Sequence, residues 1–203
     1  MNMMGYNAMA LGEGDLSKLG IDGIRQREKE AQFPFLSANA YLTGTEDLIV
    51  APYTVLDIGT RHIAIIGITG PAHILDVEIR DPLEAARSAI TEVRDRADVL
   101  ILLSHAGLEI NREIAEALPE INLIVSGGGN EITRELEEAD GGPFIVQADL
   151  PTPGHAGRRI GAGSWIFGLE NTVVGQQWQN ISLGSSYPDD PDMRAWVTQH
   201  QQQ

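Results

Sequence analysis

The chain has 203 residues, 42% of them apolar, and sets 14 Lys plus Arg against 29 Asp plus Glu for a formal charge of −15. That composition describes a folded acidic chain with enough apolar residues for one sizeable core. It argues against nucleic-acid and anionic-lipid binding, because the negative field is broken by no basic run longer than Arg158-Arg159. No apolar run approaches the ~18 residues of a membrane span, and the lack of cysteine leaves five His and the carboxylates as the strong metal ligands.

The opening stretch MNMMGYNAMALGEGD lacks a basic n-region and a long apolar h-region, so it does not read as a signal peptide. Within it, Ala8 to Leu11 reads as a short strand, and Asp15 as the cap of a helix reaching about Ala31. FPFLSAN at 33–39 and the run 50–58 are predicted strands, and Gly59-Thr60 turns the second into a hairpin with RHIAIIGI at 61–68. Asp81, Pro82 and Glu84 then supply a cap, a first-turn proline and a capping-box carboxylate, with Leu83, Ala86, Ile90, Val93 and Ala97 at helical spacing. DVLILL at 98–103 and the run 121–125 are apolar nearly throughout, as strands covered on both faces are, and a helix carrying Ile110, Ile114 and Leu118 joins them. That alternation predicts right-handed crossovers and parallel pairing. From Pro143 onward, FIVQADL, RRIGAGSWIFGLE and NTVVGQQWQNISLG read as antiparallel strands with a turn near Glu170-Asn171. Asp189 or Asp190 caps a final helix with Pro191 early in it.

Ligands of open α/β sheets bind beyond the carboxyl ends of strands. Three such ends stand out: Gly12 to Asp15, Ser104 to Gly107, and Ser126 to Glu131. Together they offer Glu13, Asp15, His105 and Glu131, an oxygen and nitrogen set suited to a hard or borderline divalent ion. Each also has an ordinary role: Asp15 as a helix cap, Glu131 as a first-turn dipole partner, His105 as a hydrogen-bonded strand end. Gly127-Gly128-Gly129 lacks the Lys-Ser/Thr of a phosphate loop and the order of a dinucleotide fingerprint. No Gly-x-Ser-x-Gly elbow is present, and Ser104 and His105, as chain neighbours, make a poor nucleophile and base. His62, His73, His155 and His200 are scattered over a strand, its exit loop, a later loop and the tail, and none anchors a second site.

Several ordered segments, MGYNAMALGEGD, FPFLSANAY, PYTVLDIGTRHIAIIGITGP, ADVLILLSHAGLEINREIAEALPEINLIVSGG and WQNISLGSSYPDDPDMRAWV, give the chain a family resemblance over nearly its whole length. It resembles the phosphoesterase domain of the 5'-nucleotidase group of calcineurin-like metallophosphoesterases. The resemblance implies an α/β fold, an αββα sandwich of two mixed sheets flanked by helices, with a two-metal cluster at strand ends. On that pattern residues 1–188 form the domain, N-terminally incomplete, and 189–203 a C-terminal helix and tail.

The departures bear on function. Where the family has Gly-Asn-His-Glu/Asp, this chain reads Gly12-Glu13-Gly14-Asp15, with Glu13 for the metal-binding Asn and Gly14 for the catalytic His. Where it has Gly-His-x-His, this chain reads Gly128-Gly129-Asn130-Glu131, while His105 matches the family's Ser-His-x-Gly. The family's Asp-x-His and Gly-Asp motifs would fall upstream of Met1. The resemblance so modified implies a degenerate, non-catalytic binding, structural or accessory module with no assignable catalytic residue. The alternative is a metal-dependent phosphohydrolase of altered ligand set, completed by an upstream segment or a partner chain. His105, Glu13, Asp15 and Glu131 are the candidate ligands for at most one divalent ion, Mn, Mg, Ca or Zn, and Gly128, Gly129 and Asn130 the candidate ligand-binding loop. The expected partner is another polypeptide completing the sheet near Ala8 to Leu11, or an assembly. The family implies a periplasmic or secreted location.

Overall fold

A computed structural model describes residues 1–133, 135–149, 158–169 and 171–200. Its centre is a six-stranded mixed sheet in the order β4-β5-β7-β8-β10-β9. β4 (Tyr53–Ile58) and β5 (Arg61–Ile68) form the expected antiparallel hairpin. β5, β7 (Val99–Ser104), β8 (Leu123–Ser126) and β10 (Phe144–Val146) run parallel, and β9 (Glu137–Glu138) closes the edge against β10. The parallel pairing is the one read from the alternating helices and buried strands. It corrects the reading of FIVQADL, whose first residues pair parallel with β8. Phe144, Ile145 and Val146 are all buried, and an unbroken apolar run needs cover on both faces, which an inner position beside β8 supplies.

The connecting helices form where the local signals put them. α2 (Pro82–Val93) begins under Asp81, whose carboxylate accepts the Glu84 N–H at 2.9 Å, and it buries Ala86, Ala89, Ile90 and Val93. It stops at Val93 short of Ala97, tightening into one 3₁₀ turn over Arg94–Arg96. α3 (Leu108–Ala117) buries Leu108, Ile114 and Ala115. Both helices pack on the sheet face that carries Ile66, Ile68, Leu102, Ile124 and Ile145.

Short two-stranded pieces form the second layer. β1 (Met9–Ala10) pairs parallel with β2 (Phe35–Leu36), and both pack on β5. β3 (Ala40–Leu42) pairs antiparallel with β6 (Val77–Ile79). The long hairpin of β11 (Arg159–Phe167) and β12 (Val173–Ser182) lays Trp165 and Trp178 on Leu123, Phe144 and Val146, which alternation places on the face away from α3. α1 (Glu13–Glu30) covers β1, β2 and their neighbours through Leu16 and Ile24, and is kinked at Gly20, whose φ is 63°. The αββα layering is therefore present, with the second layer in pieces. α1 starts at Glu13, so Asp15 is not its cap residue. Extended Gly12 is, and Asp15 reaches back from the third helical position to accept the Gly12 N–H at 3.0 Å.

The strands predicted over 33–39 and 50–58 are shorter than read, the first because polar side chains take over its exit loop. Ser37, Asn39 and Thr69 are fully buried. The Asn39 amide donates to the Thr69 and Arg80 carbonyls at 2.8 and 3.1 Å and accepts the Thr69 N–H at 2.9 Å. The turn near 170 lies partly outside the described residues, and Asn171 takes the left-handed φ of 59° at its edge. α4 (Pro191–His200) is capped by Asp190, whose carboxylate accepts the N–H groups of Asp192 and Met193 at 3.0 and 2.9 Å.

Candidate functional site

The parallel strands bring three loops to one rim. β5 ends in Thr69-Gly70, β7 in Ser104-His105, and β8 in Ser126 and the glycine run. Backbone hydrogen bonds stitch them together: His105 N–H to the Ile68 carbonyl at 2.8 Å, Gly127 N–H to Ser104 at 2.7 Å, and Gly107 N–H to Gly127 at 3.0 Å. β1 then delivers Gly12 and the first turn of α1 to the same rim.

Here Glu13 and His105 meet, with Oε2 2.7 Å from Nδ1. A carboxylate only accepts, so Nδ1 carries the proton between them. The imidazole is about a quarter exposed and the carboxylate less than half. Glycines frame the ring: a Cβ at Gly12, Gly127 or Gly128 would stand 3.1, 3.2 or 3.0 Å from its atoms. Gly128 and Gly129 both adopt left-handed φ, 72° and 66°, and fold the loop back over Gly107.

The other sequence candidates are engaged elsewhere. Asp15 binds the Gly12 N–H. Glu131 is exposed and paired with Arg112 of α3 at 2.8 Å. Arg112 also grips Glu137 of β9 through two bonds of 2.9 and 3.0 Å. Those bonds hold the Glu137 carboxyl below its ordinary value, against the burial that raises it. Ser104 Oγ accepts the Ala106 N–H at 3.2 Å. His62 pairs with Asp57 on the exposed hairpin and His200 stacks on Trp196, while His155 lies outside the described residues. Among the described residues no group of three or more His, Asp or Glu is gathered in a position to hold an ion. The Glu13 and His105 pair offers two donors, fewer than the three protein ligands of a catalytic zinc, so the described residues do not fit a two-metal centre.

Two contributors escaped sequence reading. Gln147, fully buried, accepts the Thr133 N–H at 3.0 Å and donates to the Glu131 carbonyl at 3.3 Å, fixing the exit of the glycine loop. Thr69 stands between the loops. The signal for both was a polar residue inside an otherwise apolar run, GITGP and FIVQ.

Comparison with known proteins bears on this arrangement. No family model matches the chain. It is 33% identical over 150 residues to Protein UshA of Salmonella pullorum, an alignment covering 64% of this chain and 27% of that protein. It is 30% identical over 186 residues to the 5'-nucleotidase of Vibrio cholerae, covering 73% of this chain and 34% of that one. With the 5'-nucleotidase of Bos taurus it shares 29% identity over 220 residues, or 96% of this chain and 38% of the other. The chain thus spans about a third of the length of these curated relatives. Among solved structures, the 5'-nucleotidase precursor of Thermus thermophilus superposes over 97% of this chain and 43% of its own, with TM-score 0.82 and 23% identity. The sulfate thiohydrolase SoxB of the same organism superposes over 99% of this chain and 38% of its own, with TM-score 0.81 and 18% identity.

Proposed function

We propose, from the premise that this chain belongs to the 5'-nucleotidase group of the calcineurin-like metallophosphoesterases, that it serves as a degenerate, non-catalytic binding or accessory module of that fold. The observation that carries this reading is the site itself. Two-metal hydrolysis needs two ions ~3.5–4 Å apart clamping the attacking and leaving oxygens, and the rim brings together one imidazole and one carboxylate. Gly14 and Gly129 supply no side chain there. The purified chain is expected to release no phosphate above background from a generic phosphate monoester with added manganese. Metal-dependent turnover abolished by His105→Ala would overturn the reading.

The Glu13 to His105 contact favours one second reading, a single divalent ion on those two groups. Asp15 and Glu131 would join only after leaving the Gly12 N–H and Arg112, with further ligands from an upstream segment or partner chain. Any ion held this way is expected to be single and weak. Metal analysis after dialysis should find well under one equivalent, and two ions at full occupancy would refute it. Gly128, Gly129 and Asn130 form the backbone wall facing any ligand of this rim.

The association expected from sequence finds support in the divided second layer. Ile101 and Leu103 of β7 and Val125 of β8 are only half buried, while their neighbours facing α2 and α3 are buried. β1 is two residues long and pairs with β2. Another polypeptide, an upstream segment or a different subunit, would pair with such an edge and cover that face. The location that goes with this reading is periplasmic or secreted, as the family resemblance implies. No helix among the described residues is long and apolar enough to cross a membrane.

A further inference from the structure

Thr69 stands where the two halves of the rim meet, and we infer that it is the positioning residue that sets Glu13 against His105. The inference rests on the reading above only in taking that pair as the functional site.

β1 and β7, the strands that deliver the two side chains, share no ladder: β1 pairs with β2, and β7 with β5 and β8. Their relative height along the strand direction must be fixed by something else. Residues 68–70 touch both sides. The Ile68 carbonyl accepts the His105 N–H at 2.8 Å. The Thr69 hydroxyl donates to the Leu11 carbonyl at 2.9 Å, two residues before Glu13. Gly70 packs so closely that a Cβ there would lie 2.6 Å from the His105 carbonyl oxygen and 3.4 Å from Glu13 Oε2.

Thr69 is itself held rigidly. It is fully buried, and both its N–H and its carbonyl are bound by the Asn39 amide. Its oxygen lies 2.7 Å from Ser37 Oγ. A hydroxyl has one proton. Ser37 Oγ also lies 3.3 Å from Asn39 Oδ1; with the Thr69 proton on Leu11, the Ser37 proton goes to the shorter contact at 2.7 Å, and Ser37 is the donor in the bond between them. Removing the Ser37 hydroxyl therefore leaves the Thr69 to Leu11 bond in place, whereas removing that of Thr69 leaves a buried carbonyl unpaired and the first turn of α1 without its tie.

The test is a proton NMR experiment on the metal-free chain at one fixed pH. The Nδ1 proton shared between His105 and Glu13 gives a downfield imidazole signal, assigned by its loss in His105→Ala. Thr69→Val is expected to abolish the signal and Thr69→Ser to retain it. Ser37→Ala should retain it while lowering the melting temperature, since it too strips a buried hydrogen bond. Persistence of the signal in Thr69→Val, or its equal loss in Ser37→Ala, would overturn the inference and reduce the network to core packing. Should Thr69→Val fail to fold, the unaltered chain decides. In a urea series, the Thr69 hydroxyl proton and the His105 Nδ1 proton should vanish together before global unfolding, and a His105 signal that outlasts the hydroxyl would refute the link. The readout involves neither turnover nor metal, so failure of the accessory-module reading would leave this result standing.

Discussion

Gly128 and Gly14 are both glycines of the candidate site, and their surroundings give them opposite tolerances. A Cβ at Gly128 would stand 2.0 Å from the His105 carbonyl oxygen, and its φ of 72° is one that side chains resist. The conformation alone costs about 1–2 kcal/mol, before the backbone moves to clear the contact. Gly128→Ala is therefore expected to lower stability by more than ~2 kcal/mol, a fall in melting temperature of at least ~4 °C for a chain of this size. Gly14 sits in the first turn of α1 with nothing within 4 Å of its missing Cβ. Gly14→Ala should leave stability unchanged or raise it by up to about 0.5–1 kcal/mol. Calorimetry on the two variants checks the contrast, and a Gly14→Ala loss as large as that of Gly128→Ala would contradict the geometry. The family resemblance marks Gly14 as altered and leaves Gly128 on the family's own glycine; the contact at His105 is what makes that glycine necessary.

Between elements, the clamp on the glycine loop is electrostatic. Arg112 of α3 joins Glu131 after β8 to Glu137 of β9, and Gln147 after β10 secures the backbone between them. Because Arg112 depresses the Glu137 pKa in the fold, the stabilisation is present above the ordinary Glu value of about 4.3 and is lost as pH falls through the lower folded value. Hydrogen exchange at β9 and along 131–133 should therefore stay slow from neutrality to about pH 5 and accelerate only below the ordinary carboxylate range. Arg112→Ala should show the fast exchange already at neutral pH. Unchanged protection in that variant would mean the ion pairs are incidental to the loop.

For the whole molecule, the helix-covered face of the central sheet is finished and the opposite face is shared among separate two-stranded pieces. The −15 charge opposes indiscriminate clumping but not a specific contact. Under the association reading, the isolated chain should show concentration-dependent scattering and fast amide exchange at Ala8 to Leu11. A stable monomer with protected amides there would show that the layer closes without help.

Sequence by itself determined the α/β class, the parallel pairing of β7 with β8, and the start of α2, because apolar periodicity and capping chemistry are local properties. It also singled out His105 and Glu13, since both end short apolar runs beside glycine. Only the tertiary structure decided that these two touch, that Asp15 serves Gly12, and that Glu131 is held by Arg112. Those outcomes depend on how far each strand is advanced against a neighbour it is not paired with. The sliding is fixed by buried side-chain bonds such as Thr69 to Leu11, between residues far apart in the chain, and no local pattern encodes it.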